Sequence, residues 1–295
     1  MRDFTQIDWE DLKHFLALAR GGSLSEAARA LGVDHTTVAR RLAALEKALD
    51  LRLVDRLPRS VTLTPQAEPI ADLAERMAET AFAICRVADG ARTTLAGPVR
   101  VSAPPAFATL VVAPRLSTLT GTYPDITVTL IGDVAEADLD HRQADISLRL
   151  SRPKSPDLIA RKIGDLPFHF YAATDYDRPE EDWRFIGYDE ESRHIPQHGW
   201  LEEHRRRRDV VLRTNDSASQ ASAAGAGIGV ALLPAFLGEA DPRLKQMPSA
   251  EALPSREIWI LVHDDLRRAP RIRAVMDFLI ETVRGAIGAD RQPTG

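Results

Sequence analysis

Two helix-start signals separated by a glycine turn leave the stretch from Ser23 to Leu49 little conformational choice. Ser23-Leu24-Ser25-Glu26 has the form of a capping box, in which Ser23 and Glu26 satisfy each other's free backbone donors. The helix it opens runs to about Leu31, Gly32 allows a tight turn, and Asp34 caps another helix with Val38, Leu42, Leu45 and Leu49 on its buried side. An earlier helix, capped by Asp8, carries Leu12, Phe15, Leu16 and Ala19 along one face and stops at Gly21-Gly22. Two short helices joined through a glycine turn describe a helix-turn-helix.

The next residues suit that motif. Leu51 to Val54 and Val61 to Thr64 read as short strands around Arg56-Leu57-Pro58-Arg59-Ser60, a turn that would form a wing. From Pro69 a long helix places Ile70, Met77, Ile84 and Ala91 at one heptad position and Leu73, Thr80 and Val87 at the other, the seam of a coiled coil. Gly97-Pro98 marks the next boundary. Beyond it, short apolar runs (Val99 to Val101, Ile126 to Ile131, Ile146 to Leu150, Val210 to Leu212, Val230 to Leu233, Ile258 to Val262) alternate with helical patterns and predict a parallel α/β sheet. A closing amphipathic helix carries Ile272, Val275, Leu279 and Val283. The expected organisation is a DNA-binding head over 1–64, a dimerising helix over 65–96 and an α/β domain over 97–295, with lobes of 97–165 plus 266–290 and of 166–265.

The net charge of −5 counts against a uniformly basic surface, but the sign is local. Arg40, Arg41, Lys47, Arg52, Arg56 and Arg59 outnumber Glu46, Asp50 and Asp55, so a DNA-binding face would lie there. Cys85 is the only cysteine, which excludes an intrachain disulfide and a cysteine zinc site. Charges interrupt the first fifteen residues, so neither export nor membrane contact is expected and the cytoplasm fits.

On a helical wheel the residues opposite Val38 are Thr36, Ala39, Arg40, Ala43 and Lys47, with His35 and Thr37 in the first turn. The start of a recognition helix meets base edges, which makes His35, Thr36, Thr37, Ala39 and Arg40 candidate readers. Arg41, Arg56 and Arg59 would hold phosphates or enter the minor groove. In the α/β domain, Ser102, Ala103 and Pro104 follow a strand where open sheets bind ligands, although Pro104 and Pro105 lack N–H donors. Arg149 at another strand end could pair an anionic effector or form an internal salt bridge, and Asn215, Asp216 and Ser217 could line the opposite wall.

The run SLSEAARALGVDHTTVARRLAALEKALDLRLVDRLPRSVTLT resembles the N-terminal domain of LysR-type transcriptional regulators. TYPDITVTL, ADISLRL, NDSASQASAAGAGIGVALLP and PRIRAVMDFL continue the resemblance over nearly the whole chain. It implies a winged helix-turn-helix and a two-lobed, type II periplasmic-binding-protein-like effector domain. It also implies a homodimer or homotetramer on an interrupted palindrome in double-stranded DNA, with contact to RNA polymerase left open. The chain departs from the family pattern at Ala39, where serine is usual, at Val54 and at Ala67-Glu68.

His194, His198 and His204 lack the spacing of a metal site, and Arg205 to Arg208 read as a solvated edge. No nucleophile elbow, phosphate loop or dinucleotide fingerprint occurs, so neither catalytic residues nor a cofactor are expected. The rival reading is an α/β small-molecule-binding protein or enzyme without DNA-binding function.

Overall fold

The structure, a computed structural model, describes residues 7–56, 61–90, 94–132, 144–153, 158–206 and 208–288. It divides into two units, Met1–Val87 and Ala88–Gly295.

In the first unit, α1 (Trp9–Gly21), α2 (Leu24–Leu31) and α3 (His35–Leu49) begin on the expected caps, Asp8, Ser23 and Asp34, each accepting from a backbone N–H of the first turn. Gly22 and Gly32 end α1 and α2 in the left-handed region at φ 63° and 66°, where a side chain would be strained. The capping box is realised through Ser23 Oγ, while the Glu26 carboxylate receives the Arg29 guanidinium at 2.7 and 2.8 Å. Phe15, Leu18, Ala27, Val38, Leu42, Leu45 and Leu53 form the shared core.

The wing strands, β1 (Val54–Arg56) and β2 (Val61–Leu63), pair antiparallel with Val54 opposite Leu63. The first begins later than the expected Leu51 because the preceding residues finish α3. The Leu51 N–H donates to the Glu46 carbonyl at 3.1 Å and the Leu53 N–H to the Glu46 carboxylate at 2.8 Å. The long helix is α4 (Glu68–Gly90), whose Ala74, with Ala67 just before its start, seals the core.

The second unit runs β3 (Gly97–Ala103), the short helix α5 (Pro105–Phe107), α6 (Leu116–Thr122), β4 (Ile126–Gly132), β5 (Ile146–Arg149), β6 (Leu158–Ala173) and β7 (Phe185–Gly187). It continues through α7 (Pro196–Arg205), β8 (Val210–Arg213), α8 (Ser217–Gly225), β9 (Val230–Pro234), α9 (Ala235–Ala240), β10 (Leu244–Met247), β11 (Ser255–His263) and α10 (Pro270–Gly288). Among the described residues its strands join in the order β4-β3-β5-β11-β6-β9-β7-β8, with β10 also on β6.

The sheet is mixed, a correction to the parallel one expected. β3 is parallel to β4 and β5, and β7 to β8 and β9, but β6 and β11 run antiparallel to their neighbours. From Leu158 to Pro167 β6 pairs with β11, and from Phe168 onward it pairs with β9 and β10, so one strand belongs to both lobes. Pro167, which has no N–H to donate, sits at the changeover. β11 pairs with β5 and the first half of β6, which assigns 255–263 to the first lobe rather than the second. The helix α10 lays Ile272, Val275, Leu279 and Val283 on that lobe's core of Val99, Val101 and Ile260.

Gly229, just before β9, tests the second lobe. A Cβ there would meet the Arg184 carbonyl oxygen at 2.4 Å, and that carbonyl is held by the Val230 N–H at 2.8 Å. Gly229→Ala is expected to lose about 1–3 kcal/mol, as overpacking against immobile backbone does. Thermal unfolding checks this, and a melting temperature equal to the parent's would contradict it.

Candidate functional site

Three regions gather the candidate residues. In the first, α3 commits Val38, Leu42 and Leu45 to the core and so turns Thr36, Arg40, Ala43 and Lys47 outward, all exposed. His35 stands exposed beside them, while Thr37 and Ala39 are half-buried. Asp34 Oδ1 accepts from the Thr36 N–H and hydroxyl, both at 2.8 Å, and these bonds hold its carboxyl below the usual carboxylate range.

Arg41 has a different position. Its guanidinium donates to Asp11 at 3.0 Å and Asp8 at 3.2 Å, tying α3 to the start of α1, and the Asp11 bond raises its already high pKa. With its charge met by two carboxylates it stands apart from the readers. Arg56 ends β1; its side chain and Arg59 lie outside the described residues.

The second region is the outer face of α4. Leu73, Met77 and Ile84 are 51%, 48% and 67% exposed, large apolar side chains at heptad spacing on one helix. Ile70 is half-buried against the unit's own core, and the Val87 side chain lies outside the described residues. Beside this face is an apolar groove of about 510 Å³, lined among others by Trp9, Leu16, Ala17, Leu31, Ala78 and Ala81. The Arg20–Glu75 ion pair ties α1 to α4 along it.

The third region is a cavity of about 120 Å³ where the two lobes of the sheet meet. Pro104, Arg149, Asn215, Asp216 and Ser217, five of the seven residues expected there, line it. Ser102 and Ala103 do not, because β3 extends through both and buries them behind the wall. Ser102 acts at one remove, since its Oγ accepts from Arg149 Nη2 at 2.9 Å while Nη1 donates to the Leu148 carbonyl at 2.9 Å. Arg149 is only 6% exposed, a cation placed in the wall of a small cavity.

A second cation was not anticipated. Arg256 is 7% exposed, lines the same cavity, and donates to the Leu150 carbonyl at 3.0 Å and to Gln197 at 2.9 Å. Its signal was available, because the inward alternation of Ile258 and Ile260 extended backwards by two places it on the buried face of β11. Gln197 and Tyr188 come from the other lobe and carry no such pattern. Burial drives the Tyr188 hydroxyl well above the ordinary tyrosine range, with the Arg256 charge working the other way, so the ring faces the cavity as a neutral phenol. Phe107, Phe168, Phe236, Leu166 and Ile195 supply apolar wall, Phe107 meeting Phe236 edge to face at 5.0 Å.

The start of α8 faces the cavity with the N–H groups of Ala218, Ser219 and Gln220 already taken by Asp216. Burial opposes the charge of Asp216, but hydrogen bonds from the Ser219 hydroxyl and from the Ser219 and Ala218 N–H groups keep its carboxyl below the usual range. An anionic ligand would find its partner in the arginines on the facing strands rather than at this helix end.

His198 and His204 are buried, whereas His194 is exposed. His204 stacks on Trp200 at 4.9 Å, and its Nδ1 meets the Glu251 carboxylate at 2.8 Å. Arg208 corrects the reading of 205–208 as a solvated edge. It lies 4.8 Å above the Phe185 ring and donates to the carbonyls of Glu180 and His204. Among the described residues no helix is long and apolar enough to cross a membrane.

Residues 9–68 match the model of the bacterial regulatory helix-turn-helix protein, lysR family, and residues 92–284 match the LysR substrate binding domain. The chain is 27% identical over 288 residues to the Mau operon transcriptional activator of Paracoccus denitrificans, covering 95% of this chain and 99% of that protein. It is 34% identical over 163 residues to the AhcY transcriptional activator HvrB of Rhodobacter capsulatus, 53% of this chain and 55% of the relative. Among solved structures, the full-length Vibrio cholerae virulence activator AphB superposes with a TM-score of 0.62 at 22% identity, over 93% of this chain and 99% of that one.

Proposed function

Because this chain belongs to the LysR family of transcriptional regulators, binding DNA through its helix-turn-helix and an effector through its C-terminal domain, we propose how the two sites work. It is a regulator and not an enzyme, which sets aside the rival reading of an α/β protein without DNA-binding function. His35, Thr36, Thr37, Ala39 and Arg40 form the base-reading edge, and Lys47 with the wing arginines Arg56 and Arg59 engages the backbone. The exposed face of α3 that bears Thr36 and Arg40, opposite the core residue Val38, carries this reading.

Two such heads, held by the outer face of α4 in a homodimer or a dimer of dimers, read an interrupted palindrome in the cytoplasm. A compact effector with an anionic group and an apolar body enters the cavity between the lobes, where Arg149 pairs the anion and Phe107, Phe168 and Phe236 cover the rest. Its arrival changes DNA geometry or the contact made with RNA polymerase.

The test of the reading edge is Arg40→Ala on an operator mapped by footprinting upstream of the chain's own reading frame. Specific binding is expected to weaken by about 1–3 kcal/mol with relaxed preference at one base pair, as loss of a guanine contact requires. Equal losses on every operator variant would place Arg40 on the phosphate backbone instead.

A further inference from the structure

The first turn of α3 contains a constraint on which bases it can read. A threonine hydroxyl has one hydrogen to give and lone pairs to accept with, and which of these faces DNA depends on where the hydrogen points. In this chain the Thr36 hydroxyl lies 2.8 Å from Asp34 Oδ1, the same oxygen that takes the Thr36 N–H. An ionised carboxylate only accepts, so the hydrogen between the two oxygens belongs to Thr36. The exposed side of Thr36 is therefore left with lone pairs and a methyl group.

We propose that Asp34 is a positioning residue that sets the polarity of reading: it commits the Thr36 hydroxyl to accepting, so that the base edge Thr36 meets must offer a donor. In the major groove the donors are the N6 amino group of adenine and the N4 amino group of cytosine, whereas guanine and thymine present acceptors. Thr36 thus selects an amino base over a keto base on the strand it faces. The inference rests on the reading that the start of α3 enters the major groove.

The experiment uses the full chain. Binding sites are selected from randomised duplexes, and the parent, Thr36→Val, Asp34→Asn, Asp34→Gly and Arg40→Ala are profiled on every single-base variant of the selected site. Valine keeps the shape of threonine without the hydroxyl, asparagine keeps an acceptor oxygen at the cap, and glycine is tolerated at the cap but removes the acceptor. The parent and Asp34→Asn are expected to prefer adenine or cytosine at one position by about fivefold, the value of one neutral hydrogen bond. Thr36→Val loses that preference at that position alone. Asp34→Gly, with its helix content unchanged by circular dichroism, admits guanine and thymine there, because the freed hydroxyl can now donate. Purine in place of a selected adenine, or 2-pyrimidinone in place of cytosine, costs the parent the same factor and Thr36→Val nothing.

A parent preference for guanine or thymine at the Thr36-dependent position overturns the proposal, as does an Asp34→Gly profile identical to the parent's. A Thr36→Val profile identical to the parent's overturns it too, and Arg40→Ala then tells the two failures apart. If Arg40→Ala still relaxes a base pair, the helix reads the groove without Thr36; if it does not, the groove reading itself fails.

Discussion

Arg149→Ala is expected to weaken effector binding by about 2–5 kcal/mol, whereas Ser102→Ala should cost about 1. The difference follows from their places in the cavity. Arg149 lines it and carries the charge, and losing one partner of a buried charged contact leaves the other unpaired in a poorly solvated site. Ser102 lies behind the wall and meets the effector only through the guanidinium, as the acceptor for Nη2. It follows that Arg149→Ala with Ser102→Ala should bind no worse than Arg149→Ala alone, a non-additivity that independent contacts would not show. Arg149→Lys should recover only part of the loss, because a point charge replaces a planar fork. The effector is first identified by a thermal-shift screen of small carboxylates against neutral isosteres, and calorimetry on the folded variants then supplies the affinities. Unchanged affinity in a folded Arg149→Ala protein would reduce Arg149 to a structural cation and leave the anionic effector without support.

Ile84→Asp should dissociate the oligomer and abolish operator binding. Ile84 is 67% exposed on the single chain, so the substitution disturbs nothing in the unit's own core. Its effect appears only where a second helix covers the face shared with Leu73 and Met77, and there a carboxylate must be desolvated without a partner, at a cost of several kcal/mol. Sedimentation velocity should show a monomer whose C-terminal domain remains folded, with operator-specific binding lost and at most weak, strongly salt-dependent non-specific DNA binding left. A mutant that still sediments as a dimer would move the main interface away from α4. Ile70 offers an internal control, since it is half-buried against its own domain and Ile70→Asp should lower stability as well as association.

What was legible in the sequence was what neighbours along the chain decide. Asp8, Ser23 and Asp34 cap their helices through donors two or three residues away, and Gly22 and Gly32 close them in a conformation that glycine adopts without strain. The heptad positions of Leu73, Met77 and Ile84 follow from helical geometry alone. The strand β6 was not legible, because Arg161, Lys162, Asp165 and Pro167 interrupt any alternation and its extended form comes from pairing with β11, which follows β7 to β10 in the chain.

The functional residues divide the same way. The outward face of α3 could be drawn from the positions of Val38, Leu42 and Leu45, since a helix that buries one side must expose the other. That Arg41 would be ion-paired could not be drawn, because Asp8 and Asp11 reach it from the start of another helix. Nor could sequence distance reveal that Arg149, Arg256, Gln197 and Tyr188 share one small cavity. Local hydrogen bonds and periodic burial determined where helices begin, end and face; which charges meet a partner and which face a ligand was decided only when strands distant in sequence paired, because an electrostatic partner is set by proximity in space and in a low-dielectric interior that proximity dominates.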